Sequence, residues 1–264
     1  MTTPSIPTEP LHIETLKIAG RKGDPPWIEE LLVDERSSLA IKADVPGGQG
    51  GSVDDHIHYD FVEWWIVLEG ELTFEIGDYP PLTAKKHDIV TSPLGTRHLI
   101  TSGGTGRSQR LIVGYPGSDH NDTKPRGTET LPFPDEKAPP NLIHTKVDEM
   151  MVRMGEPPWS QVVVGNEHVN GTLICHGPGM ANNPHWHEGI NEWWLLLKGE
   201  VSYHYSKSRE PFHMREGDVV FMPEGYRHEL TTISDGPSLR LALGTPDEHT
   251  VYTDDDEDAP PPRE

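Results

Sequence analysis

Apolar and polar positions along this chain fall into short runs broken by turns. Glu63-Trp64-Trp65-Ile66-Val67-Leu68 is β-rich and ends at Glu69-Gly70-Glu71. Leu72-Thr73-Phe74-Glu75-Ile76 then alternates and stops at Gly77-Asp78. Two such runs around a tight polar turn predict a hairpin. Glu192 to Leu197, Lys198-Gly199-Glu200 and Val201 to Tyr205 repeat the pattern, and Asp218 to Met222 before Pro223-Glu224-Gly225 predicts another strand and turn. No segment longer than about 12 residues holds a clean helical period. Thr145 to Arg153 reads as a short helix or an irregular stretch. Many short strands with regular turns predict an all-β sandwich or barrel.

The runs recur in order. Arg21-Lys22-Gly23-Asp24-Pro25-Pro26-Trp27 matches Arg153-Met154-Gly155-Glu156-Pro157-Pro158-Trp159 at an offset of 132. H-x-H-x4-E-W-W-x4-G occurs at His56 to Gly70 and at His185 to Gly199, offset 129. Pro93 to His98 matches Pro223 to His228, and Arg110 to Gly114 matches Arg240 to Gly244, both at 130. Four blocks in register predict two copies of one domain rather than a solenoid. The expected layout is an N-terminal arm over 1–20, domains over 21–115 and 146–248, a Gly- and Pro-rich linker over 116–145, and an acidic, disordered tail over 249–264. Gly and Pro number 26 each, which suits short strands.

The net charge of -21 argues against nucleic acid and anionic membrane surfaces as partners. Part of it lies in Asp254 to Asp258, a run that reads as solvated. Cys175 is the only cysteine, so neither an intrachain disulfide nor a cysteine zinc cluster can form; it sits in an apolar run and reads as a small buried hydrophobe. No apolar stretch approaches the ~18 residues of a membrane span, and the first residues lack the pattern of a signal peptide. A cytoplasmic protein is expected.

In H-x-H on a strand, both imidazoles share a face, so His56 and His58 point the same way. Glu63 opens the next strand and can return toward them, and His98, after a P-x-G turn, is the natural fourth donor. The second set is His185, His187, Glu192 and His228. Three imidazoles and a carboxylate suit a divalent transition metal: Fe(II), Mn, Ni, Co or Zn.

These blocks resemble the two signature motifs of the cupin superfamily. The first motif falls on Gly50, His56, His58, Glu63 and Gly70, and again on Gly179, His185, His187, Glu192 and Gly199. The second falls on Gly217, Pro223, Gly225 and His228, and on Pro93, Gly95 and His98. His87 replaces the leading glycine of the first copy, and Ser102 and Thr232 replace the closing asparagine. The resemblance covers about 200 residues. It implies a bicupin: two tandem jelly-roll β-barrels, each with a metal in its lumen, with homo-oligomers common among relatives.

Trp65 and Trp194 share the face of the glutamates and are expected to line a substrate pocket or fill the barrel; Trp64 and Trp193 face the other way. Trp27 and Trp159 are expected to fasten the leading arms. Arg110 and Arg240, if inward, offer bidentate carboxylate binding. His87, His204 and His213 are expected at the surface. Residues beyond the metal ligands give no identifiable catalytic group. The sequence points first to an Fe(II)-dependent dioxygenase joining O2 to a small aromatic or enolisable acid, since E-W-W is similar to a context in 3-hydroxyanthranilate dioxygenases. The alternatives are a redox-neutral decarboxylase, isomerase or lyase, and a non-enzymatic binding protein. Oxalate decarboxylases also carry H-W-H, but with an arginine three residues earlier, where Val53 and Asn182 stand here.

Overall fold

The computed structural model describes residues 6–46, 55–122, 138–205, 209–246 and 249–253. Gly50, Val53, half of the expected linker and the Asp254–Asp258 run lie outside the described residues. Two compact units divide the chain: residues 1–6 with 20–153, and residues 7–19 with 154–264.

Each unit is an antiparallel β structure, and the strands of the two units correspond one to one. In the first, a six-stranded sheet runs His144–Thr145, Ile89–Ser92, Glu63–Glu69, Ser108–Gly114, Ser38–Asp44, Trp27–Val33. A five-stranded sheet runs Asn121–Asp122, His56–Ile57, His98–Ser102, Glu71–Ile76, Leu82–Lys85. In the second unit, the six-stranded sheet runs Leu11–Ile13, Val219–Met222, Glu192–Lys198, Ser238–Gly244, Asn170–His176, Trp159–Gly165. Its facing strands are Phe212–Arg215, Glu200–His204 and Glu229–Thr232, together with the pair His185–Glu188 and His249–Tyr252. Two helices are present among the described residues, Thr15–Lys22 and Val147–Met154.

The alternation of Glu71–Ile76 sends Leu72, Phe74 and Ile76 into the first core beside Trp65, Val67 and Val90. Val201 and Tyr203 do the same in the second, beside Trp194, Leu196 and Val220. The glycine that closes each E-W-W block turns the chain between these strands. Gly70 has φ 70°, and a Cβ there would strike the Arg107 carbonyl oxygen. Gly199 has φ 80°, and its Cβ would sit 3.1 Å from Ser238 Cα. Only glycine accepts both the left-handed backbone and the close approach.

The arms depart from expectation. Residues 1–20 are not simple coil, because Leu11–Ile13 is a strand and Thr15 starts a helix. Leu11–Ile13 pairs with Val219–Met222 of the second unit, although it precedes the first repeat. His144–Thr145, which precedes the second repeat, pairs with Ile89–Ser92 of the first unit. Both junctions carry the same histidine–aspartate contact: His12 Nε2 to Asp218 Oδ2, 3.0 Å, and His144 Nε2 to Asp88 Oδ2, 2.9 Å. The expected disordered tail also begins too early, since His249–Tyr252 is a strand paired with His185–Glu188. His87 is buried rather than surface-exposed, and it adopts φ 76° where Gly217 stands in the other repeat. His204 and His213 are exposed, and Cys175 is buried.

Candidate metal centres

The fold brings each predicted ligand set to one point. His56 pairs across the sheet with His98, and His185 bridges to His228, so the first and fourth donors of each set face each other by backbone register. Alternation along the H-x-H strand adds the second histidine on the same face. In the first barrel, Glu63 Oε2 lies 3.6 Å from His56 Nε2, 3.3 Å from His58 Nε2 and 3.0 Å from His98 Nε2. In the second, Glu192 Oε2 lies 3.4 Å from His187 Nε2 and 3.1 Å from His228 Nε2, with His185 in the same cluster. The six histidines and Glu192 are buried.

The outer ring nitrogens decide what this arrangement can hold. His58 Nδ1 donates to the Asp119 carbonyl. His98 Nδ1 donates to the Thr96 carbonyl at 3.2 Å, His185 Nδ1 to Asn183 at 2.7 Å, and His228 Nδ1 to Tyr226 at 2.9 Å. A carbonyl only accepts, so the proton sits on Nδ1 and each Nε2 turns a lone pair inward. In the first barrel His56 Nε2 stands 3.1 Å from His58 Nε2 and 2.9 Å from His98 Nε2. Converging lone pairs beside a carboxylate repel one another unless a cation sits among them, and carbonyl-held Nδ1 protons are the usual support of metal-ligating histidines. The donor set fits a divalent metal.

The electrostatics agree. Burial opposes the charge on Glu63 and Glu192, but the surrounding histidines outweigh it and hold both carboxyls well below the usual range. Burial and the neighbouring His228 push His185 down to about 4, which keeps it neutral and able to ligate. His58 is pushed up, since Glu63 and the Asp119 carbonyl outweigh its burial.

Around this shared frame the two barrels differ. The second opens into a cavity of about 640 Å³, lined among others by His185, His187, Glu192, Trp194 and Arg240. Trp194 Nε1 donates to Glu192 Oε2 at 2.6 Å, and the Arg240 guanidinium lies over the Trp194 ring, 5.4 Å from its centre. Arg240 therefore points inward. So does Arg110, but it is held by the Asp44 carboxylate, both side chains being 1% exposed. Trp65 stands edge-on to His98, 5.0 Å between ring centres, and packs on Phe74. Trp159 also lines the cavity, contrary to the purely fastening role expected for it; its Nε1 does tie to the Gly155 carbonyl at 3.2 Å. Trp27 makes the matching contact with Gly23 at 3.1 Å.

Five neighbours of the sites escaped the sequence reading. His120 stacks on His56, with ring centres 3.8 Å apart. Thr250 Oγ1 meets His187 Nδ1 at 3.3 Å, and Tyr252 lines the cavity beside His185. Tyr203 lies against His228, 5.7 Å between ring centres. His176 accepts a bond from Arg240 at its Nδ1, 3.0 Å. The repeat offset could have flagged two of these, by setting Tyr203 against Phe74 and His176 against Asp44.

The family described as "Cupin domain" matches residues 172–243. The chain is also similar in structure to Bacillus subtilis oxalate decarboxylase. A deletion variant of that enzyme matches with TM-score 0.58 and 17% identity, covering 85% of this chain and 74% of the other. A serine-to-alanine variant matches with TM-score 0.57, 18% identity and the same coverage. A third structure, from a study of the Mn(II) centres of that enzyme, matches with TM-score 0.53 and 16% identity over 83% and 71%. The chain has the bicupin fold, two tandem cupin-type β-barrels. No curated protein matches this chain in sequence. No helix among the described residues is long and apolar enough to cross a membrane.

Proposed function

We propose that this bicupin is a metal-dependent enzyme whose second barrel cleaves a small carboxylate substrate without net oxidation, decarboxylation being the leading case. The observation that carries this is Arg240. It is 1% exposed, lines the cavity beside His185, His187 and Glu192, and forms no ion pair with a carboxylate among the described residues. Its bond to Ser238 Oγ is long, 3.4 Å, and its Nε has no partner. A buried, under-used guanidinium is a ready partner for a carboxylate. The likeness to oxalate decarboxylases supports the same class. Oxalate itself fits poorly, since the cavity far exceeds what oxalate fills. A larger acid with an apolar body suits the walls formed by Trp159, Ile174 and Trp194.

His185, His187, Glu192 and His228 would hold the metal, with Mn(II) and Fe(II) as the leading candidates. When bound it supplies Lewis-acid stabilisation of negative charge developing on the substrate. Arg240 fixes the substrate carboxylate, and the Trp194 ring under it keeps that guanidinium in one place. The Trp194 N–H holds Glu192 in position. In a decarboxylation the carbon–carbon bond breaks, its electron pair stays on the former α-carbon, and that carbon takes a proton. His176 is not the donor, because burial and Arg240 push its pKa down to about 4. Water entering the cavity supplies the proton.

The test is anaerobic: metal-reconstituted protein, keto acids and dicarboxylic acids, and CO2 release. Turnover without O2, with KM raised about 10- to 100-fold in Arg240→Ala, is the expected result. The dioxygenase reading keeps one supporting observation, an Fe(II)-compatible site walled by Trp159 and Trp194. O2 uptake matched mole for mole to product would favour it and overturn the lyase assignment.

A further inference from the structure

The repeats allow the two barrels to be compared residue by residue. Strand Ser38–Asp44 pairs with Ser108–Gly114, and Asp44 stands opposite Ser108. Strand Asn170–His176 pairs with Ser238–Gly244, and His176 stands opposite Ser238. Asp44 and His176 therefore occupy the same place in the two sheets, and each reaches the arginine two residues beyond that serine. In the first barrel this gives a buried Arg110–Asp44 ion pair. In the second it gives Arg240 bonded to a ring nitrogen at 3.0 Å.

The difference is one full charge beside a buried cation. A carboxylate on Arg110 satisfies the guanidinium from within the protein, so an incoming anion would meet a site already neutralised. An imidazole accepts one hydrogen bond from Arg240 without cancelling its charge. His176 stays neutral there, as burial and the adjacent guanidinium both resist a second positive charge. The positive charge of Arg240 is left facing the cavity over the Trp194 ring.

We propose that the residue at this strand position is the specificity determinant of each barrel: His176 makes the second lumen a receptor for carboxylates, and Asp44 closes the first to them. The inference rests on the carboxylate reading of the second barrel, but it concerns binding and is tested without turnover. An aspartate at position 176 should copy the first barrel into the second.

The experiment titrates benzoate, and benzamide as its uncharged counterpart, into the full-length metal-loaded chain, following tryptophan fluorescence and calorimetric heat. Benzoate should bind the unaltered protein at least about tenfold more tightly than benzamide. His176→Asp should lose that preference, while His176→Asn, which keeps a neutral acceptor, should retain it within about threefold. Metal content and circular dichroism report whether each variant is folded, with His176→Glu as the replacement should His176→Asp fail to fold. Equal benzoate affinity in His176→Asp and His176→Asn overturns the proposal, as does a wild-type protein indifferent to the charge of the probe. A charge-dependent benzoate site in a protein that decarboxylates nothing sinks the lyase reading and leaves this inference standing.

Discussion

Tyr203 offers the sharpest test of the packing argument, because the molecule contains its own control. Its side chain is 0% exposed, and its hydroxyl finds no hydrogen-bond partner. Burial pushes its pKa well above the ordinary tyrosine value, so the hydroxyl stays protonated and needs an acceptor it does not have. The same place in the first repeat is Phe74, in a core of the same make-up: Phe74 beside Trp65, Tyr203 beside Trp194. A buried unsatisfied hydroxyl costs about 1–3 kcal/mol. Tyr203→Phe removes that cost and only one atom of packing. It should stabilise the second barrel by about 1 kcal/mol, a rise in its melting temperature of about 2–4 °C. Phe74→Tyr should lower the first barrel's transition by at least as much. Differential scanning calorimetry of metal-free protein reads both, with the second barrel's transition identified as the one that metal no longer raises in His185→Ala. A Tyr203→Phe protein destabilised by about 1 kcal/mol or more would refute the reasoning, since the hydroxyl would then have a partner worth keeping.

Metal stoichiometry should follow the two clusters independently: two ions per chain fall to one in Glu192→Gln or Glu63→Gln, read by elemental analysis. Stability of metal-free protein should fall as pH drops from about 6.5 to 4, because the unfolded chain protonates His176 at its ordinary pKa while the folded chain holds it down to about 4. His176→Asn should flatten that slope in urea titrations, and an unchanged slope would count against the assigned pKa. Gly70→Ala should cost more than about 2 kcal/mol, combining a left-handed backbone with a collision against the Arg107 carbonyl; a wild-type melting curve would contradict it.

The sequence was most readable where chemistry demands fixed spacing. The eight candidate metal donors come together in two clusters, because H-x-H needs period-two alternation and the closing turns at Gly70 and Gly199 admit only glycine. The direction of Arg110 and Arg240 was not readable. Both lie on strands buried almost throughout, and a register shift precedes each in its pairing with the E-W-W strand, so alternation carries no signal there. The difference between Asp44 and His176 was present in the letters, but its meaning depends on strand register. The strand His249–Tyr252 was hidden by the acidic run that follows it, and His87 because a non-glycine residue rarely takes φ 76°.

The crossed arms make the duplication irreversible. Each barrel's outermost strand is written in the gene ahead of the other barrel, Leu11–Ile13 for the second and His144–Thr145 for the first. Deleting one repeat together with its leading arm would take away its own domain and also the finishing strand of the survivor. The remaining sheet would expose a row of unpaired amides and carbonyls, which recruits strands from other molecules. A chain cut in the linker is thus expected to restore itself only by trading arms between halves. One polypeptide here does the work of a strand-exchanging dimer, and selection can alter the two barrels separately without being able to discard either.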